Sequence, residues 1–190
     1  MDLHQFQATY QREQDRILLR LNTRTNEEVR LWFTRRMLTN FYPHLVKSVR
    51  NMGNEAVQAI SHDGGPSKDL AGFRQQETLA KADFSTPFND VSVQYPAGIE
   101  PLLVTQIQVT QLANQTIRIA FEEKMPAGES VRKFEVSLAL TMVQALQHLL
   151  EVVLKQSDWG IQAQPVPTTA LAESEPADAL ELAQRPVYLN

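Results

Sequence analysis

The chain has 190 residues, 43% of them hydrophobic and 21% charged, a balance that excludes a disordered or fibrous protein and fits a globular one. It has no cysteine, which excludes disulfides, thiolate metal sites and cysteine nucleophiles. The net charge of −4 is unevenly spread: residues 5–50 carry +5 and the tail 161–190 carries −3.

No run reaches the roughly 18 apolar residues of a membrane-spanning helix. The opening Met1-Asp2-Leu3-His4-Gln5 has neither a basic start nor an apolar core. A cytoplasmic protein without membrane contact is the expectation.

Phe6, Ala8 and Tyr10 alternate with polar neighbours, the period of a half-buried strand. Ile17, Leu19 and Leu21 repeat the pattern. Beyond the polar turn 22–26, Val29, Leu31 and Phe33 repeat it again. The period then becomes helical at Met37, Leu38, Phe41, Leu45 and Val49, with Thr34 placed as N-cap. Pro43 inside that pattern predicts a kink or a late helix start.

The same order returns about a hundred residues later. Ile107 and Val109, then Ile117, Ile119 and Phe121, then Phe134, Val136 and Leu138 mark three strands. Met142, Val143, Leu146, Leu150 and Leu154 mark a helix that ends near Trp159-Gly160 and is apolar around much of its circumference. The predicted fold is α+β: two βββα repeats forming antiparallel sheet with helices packed on one face. A body over 1–160 holds repeat one (5–52), an insertion (53–101) and repeat two (102–160). The tail 161–190 reads as flexible and acidic. Within the insertion, Ser67 suits a short helix through Leu70, Phe73 and Leu79, and Val91, Val93 and Tyr95 alternate like a strand.

Signals for catalysis are weak. His4, His44, His62 and His148 have no metal-ligand spacing, and Gly64-Gly65-Pro66-Ser67-Lys68 lacks the spacing of a phosphate loop. Glu27-Glu28 and Glu122-Glu123 fall at hairpin turns and read as solvated turn charges, because adjacent strand residues point to opposite faces. His62, Asp63 and Ser67 are neighbours in sequence and not a positioned triad. No enzyme, cofactor or metal is expected.

Binding signals are stronger. With Ile17, Leu19, Val29 and Leu31 turned to the core, Arg16, Arg20, Arg30 and Trp32 share the opposite face, and Arg118 and Lys133 take similar places in the second unit. Guanidinium groups beside an outward Trp suit single-stranded DNA or RNA. The alternative is a solvated face whose arginines pair with Glu28 and Glu135. In architecture alone, paired strand-rich units ending in helices resemble the Whirly and Pur-alpha single-stranded nucleic-acid binders, although those have four strands per unit where three are counted here. At the chain end, Glu173, Glu175, Asp178 and Glu181 precede Val187, Tyr188 and Leu189, an apolar tip suited to docking in a groove of a partner or a second subunit. The leading expectation is a non-enzymatic interaction or assembly module that forms homo-oligomers or binds a protein partner, on the evidence of the over-apolar second helix and Trp32. Nucleic-acid binding is the alternative.

Overall fold

The computed structural model describes residues 3–58, 88–89, 91, 94–112, 115–124 and 131–161. In chain order these form β1 (Leu3–Gln11), a 3-10 turn (Arg12–Gln14), β2 (Arg16–Thr23), β3 (Glu28–Thr34) and α1 (Arg35–Gln58). There follow β4 (Leu102–Leu103), β5 (Gln106–Leu112), β6 (Thr116–Lys124), β7 (Val131–Ala139) and α2 (Leu140–Ser157). The protein is α+β, with two sheets and two helices among the described residues. One sheet has the order β1-β2-β3-β4 and the other β5-β6-β7. Each is an antiparallel meander, except that the two residues of β4 pair in parallel with Leu31 and Trp32 of β3.

The turns follow from side chains that tolerate a left-handed backbone or supply their own hydrogen bonds. Asp15 closes the β1–β2 connection with φ of 48°. In the β2–β3 turn Asn26 adopts φ of 58°, and Thr23 Oγ1 accepts hydrogen bonds from the amides of Thr25 and Glu27. Gln115 takes φ of 55° just before β6.

The strands alternate as their sequences predict. Ile17, Leu19, Leu21, Val29, Leu31 and Phe33 are buried from the first sheet, and Ile117, Ile119, Phe121, Phe134, Val136 and Leu138 from the second. A run of aromatic rings joins the sheets: Phe33 meets Phe121 edge-on at 5.9 Å and stacks on Phe41 of α1, while Phe121 stacks on Phe134.

Thr34 does cap α1, its Oγ1 accepting the Met37 amide at 3.3 Å. The helix starts directly after β3 and runs through Pro43, so no late start occurs. The ring removes one backbone donor, a cost of about 3 kcal/mol in an isolated helix. Buried Leu38, Phe41 and Tyr42 on one side of it, and Leu45, Val49 and Met52 on the other, hold the helix to the core across the gap. Because α1 reaches Gln58, it extends into the stretch read as an insertion from residue 53. Residues 59–87, with the suggested helix after Ser67 and the trio His62, Asp63 and Ser67, lie outside the described residues. Of the suggested strand at 91–95, Gln94 forms a single parallel bridge to Glu27, and Val93 lies outside the described residues.

Each helix touches more than its own meander. α2 lies against β1, α1, β7 and β6, while α1 lies against α2, β3 and β5. The end of α2 is pinned to the first sheet, where Trp159 donates its Nε1 proton to Asp15 Oδ1 at 2.6 Å and meets the Tyr10 ring edge-on at 5.7 Å. Tyr10 donates its hydroxyl proton to the same oxygen at 2.8 Å. These bonds from Trp159 and Tyr10 hold the Asp15 carboxyl below its ordinary pKa.

Glu27 does lie in the β2–β3 turn, but Glu28, Glu122 and Glu123 do not behave as solvated turn charges. Glu28 is the first residue of β3 and wholly buried, and Glu122 and Glu123 lie within β6, also buried. Facing cations make that burial tolerable: Arg20 and Arg30 for Glu28, Lys133 for Glu122 and Arg132 for Glu123. The opposite facing of adjacent strand residues holds, since Glu122 and Glu123 meet different partners.

Candidate functional site

The outward face of the first sheet is built from cross-strand rungs. Gln7, Arg20 and Arg30 form one, and Thr9, Leu18 and Trp32 the next. Glu28 sits at the centre of the first group. Its Oε1 lies 2.7 Å from Nε of both Arg20 and Arg30, and its Oε2 accepts from Arg20 Nη2 at 3.2 Å. Arg20 also donates to Gln7 Oε1 at 2.9 Å. The bond to Glu28 raises the Arg30 pKa and favours its charged form.

Aromatic rings complete the enclosure. The Arg20 guanidinium carbon lies 4.4 Å from the centroid of Phe88, and that of Arg30 lies 4.7 Å from Tyr95. The segment bearing these rings is tied to the sheet by hydrogen bonds: the Glu28 amide donates to Gln94 O at 2.9 Å, and the Asn89 amide to the Gln5 side-chain Oε1 at 3.0 Å. Two residues of the predicted nucleic-acid platform thus form a covered ion triad.

The remaining platform residues are divided. Trp32 is half-buried, opposite Leu18 and Leu103, and Arg16 is half-buried opposite Gln11 and Thr34. Arg118 and Lys133 belong to the other sheet, Arg118 3.3 Å and Lys133 3.4 Å from the Glu135 carboxylate. The sequence places residues of this face correctly by alternation, but the rings over Arg20 and Arg30 come from some 60 residues downstream, beyond the reach of a local pattern. Val187, Tyr188 and Leu189 lie outside the described residues.

The apolar surplus of α2 goes into the core: Val143, Leu146, Leu150, Val153 and Leu154 are buried. Val152, 41% exposed, is what α2 leaves outside.

Two surfaces were not read from the sequence. The first is β5, the end strand of its sheet, which pairs only with β6 among the described residues. Its sequence, QIQVTQL, has neither charge nor proline, and Val109 is 37% exposed. Beside it an open groove of about 250 Å³ is lined by Met37, Asn40, Phe41 and His44 of α1 and by Ile107 and Val109. The second is the outer face of α1, where Arg36, Lys47 and Arg50 are exposed and form no ion pair with a described residue. Both were present as signals, the first as an uncharged alternating strand and the second as cations at helical spacing opposite Leu38, Leu45 and Met52.

Among the described residues no group of three or more His, Cys, Asp or Glu converges to hold a metal ion, and no helix is long and apolar enough to cross a membrane. Compared with known proteins, the chain matches no family model, no curated protein and no solved structure.

Proposed function

We propose that the protein is a non-enzymatic interaction module that associates with itself along the edge of β5. The observation that carries this reading is the unguarded edge. An end strand offers a row of unpaired amides and carbonyls, and proteins that avoid pairing place charges, prolines or bulges there. β7, the opposite end of the same sheet, has Arg132, Lys133 and Glu135. β1 is also uncharged apart from His4, but α2 already occupies its apolar side. Among the described residues α1 reaches β5 as well, but it leaves Val109 37% exposed beside an open groove. An antiparallel pair of β5 strands centred on Val109 sets Val109 against Val109, Ile107 against Gln111 and Gln108 against Thr110, with no like charges opposed.

The finer fold reading belongs to the same proposal: two βββα units, the product of a duplication, with the helices over one side of the sheets. Its support is positional. Asp15 and Gln115, both with positive φ, precede β2 and β6 one hundred residues apart. The rungs Phe6–Leu21 and Ile107–Phe121 are equivalent. So are the contacts of α2 with β1 and of α1 with β5.

Sedimentation velocity of the full chain at tens of micromolar, beside Val109→Lys, tests the association. The expected result is a dimer in the parent and a monomer in the variant, where two lysines would face each other. A parent chain that stays monomeric at high micromolar concentration overturns the reading. Single-stranded nucleic-acid binding has less support, because a phosphate would have to displace Glu28 and two aromatic rings to reach Arg20 and Arg30.

A further inference from the structure

The groove between α1 and β5 and the cationic face beside it are adjacent and have complementary requirements: apolar side chains for one, carboxylates for the other. Arg36, Lys47 and Arg50 project from the exposed side of α1, and Asn40 and His44, on neighbouring turns, form the rim of the groove. Phe41, Ile107 and Val109 supply its apolar floor. The one acid on the same helix, Glu55, accepts a hydrogen bond from Gln111.

The chain carries the matching ligand in one stretch. Glu173, Glu175, Asp178 and Glu181 are followed by Val187-Tyr188-Leu189 close to the end of the sequence. We infer that this C-terminal segment docks on its own body, its carboxylates along Lys47 and Arg50 and its apolar tip in the groove at Phe41 and Val109.

Geometry permits this without a second copy. About 26 residues separate Ile161 from Val187, and a flexible chain of that length has an r.m.s. span of about 28 Å. A folded body of this size has a radius of gyration of about 14 Å, so the tether reaches any face. Tethering also raises the local concentration of the tip to the millimolar range, enough for a weak contact to be occupied. The order of the features sets the direction. Lys47 and Arg50 lie one to two turns beyond the groove along α1, so a segment with acids first and the apolar tip last runs antiparallel to the helix. The groove opens on the face of β5, whereas strand pairing uses its edge, so the tip and a second copy meet only at Val109.

The absence of cysteine gives a direct test, since introduced cysteines are the only labelling sites. Spin labels at Asn190→Cys and Asn51→Cys in the full chain report the distance from the tip to the exposed side of α1. The expected result is a short, narrow distance distribution, unchanged by dilution with unlabelled chain. It should broaden to that of an unattached tether when Glu173, Glu175, Asp178 and Glu181, all outside the described residues, become glutamine, and again when Arg36, Lys47 and Arg50 become glutamine. A broad distribution in the parent chain, or one indifferent to both sets of substitutions, overturns the inference. So does a labelled tip that approaches α1 only of another molecule, detected by mixing singly labelled chains. Sedimentation reads the β5 edge and the spin labels read the tail, so either proposal can fail alone.

Discussion

Glu28 offers the sharpest test of the reasoning about the first sheet. Its side chain has no exposed surface, while those of Arg20 and Arg30 are 17% and 27% exposed. Removing the shared carboxylate leaves two guanidiniums facing each other across adjacent strands. Breaking a buried pair from one side costs about 3–5 kcal/mol, and because the arginines retain some access to water the lower end, about 3 kcal/mol, applies to Glu28→Ala. Arg20→Ala should cost less, about 1–2 kcal/mol, since Glu28 keeps Arg30 as counter-ion and loses only some of its hydrogen bonds. Replacing all three by apolar residues of similar size should fall within about 1 kcal/mol of the parent, because the desolvation of the ions disappears with them. Urea denaturation at neutral pH reads these values. With a slope of about 1.5 kcal/mol per molar, Glu28→Ala should move the midpoint down by about 2 M at unchanged slope. A midpoint shift for Glu28→Ala no larger than that for Arg20→Ala would refute the argument, for it would mean that water, not the carboxylate, holds the charges.

Two further outcomes follow from the packing. Phe121→Ala removes the ring that meets Phe33 and Phe134 from different sheets, and chemical denaturation should register a loss of about 3–5 kcal/mol. Asp15 has a lowered pKa because Trp159 and Tyr10 donate to it, so its contribution to stability is present above the ordinary aspartate range and is lost as pH falls through the lowered value. In a Trp32→Phe background, the fluorescence of Trp159 should therefore change on acidification below the pH at which a free aspartate titrates, and in Asp15→Asn that transition should be absent.

The strands were legible because alternation is a local property. Ile17, Leu19 and Leu21, and their counterparts at Ile117, Ile119 and Phe121, announce a buried face without reference to anything distant. Thr34 as cap and Trp159 near the end of α2 were equally local. The misreading of Glu28, Glu122 and Glu123 has the opposite origin. A glutamate beside a turn is ordinarily solvated, and its burial depends on cations brought in by strand register, a tertiary fact. The late helix start that Pro43 suggested does not occur for the same reason, since the anchors on both sides of the ring act through the core. The covering of Arg20 and Arg30 depends on Phe88 and Tyr95, whose positions no periodicity in the first fifty residues can foretell.

The contact of α2 with β1 has a consequence during synthesis. The inner side of β1, with Phe6, Ala8 and Tyr10, is completed by α2 and by Trp159 just beyond its end, about 150 positions later. At roughly 5–20 residues per second, a ribosome needs on the order of 10–30 seconds to make that interval. Throughout it, the first sheet is on the nascent chain with its apolar strand uncovered, next to a backbone edge that has almost no charge. The first half of the chain therefore leaves the exit tunnel as a natural client for a holding chaperone, and a chain cut short before α2 would be expected to aggregate rather than persist as a folded half.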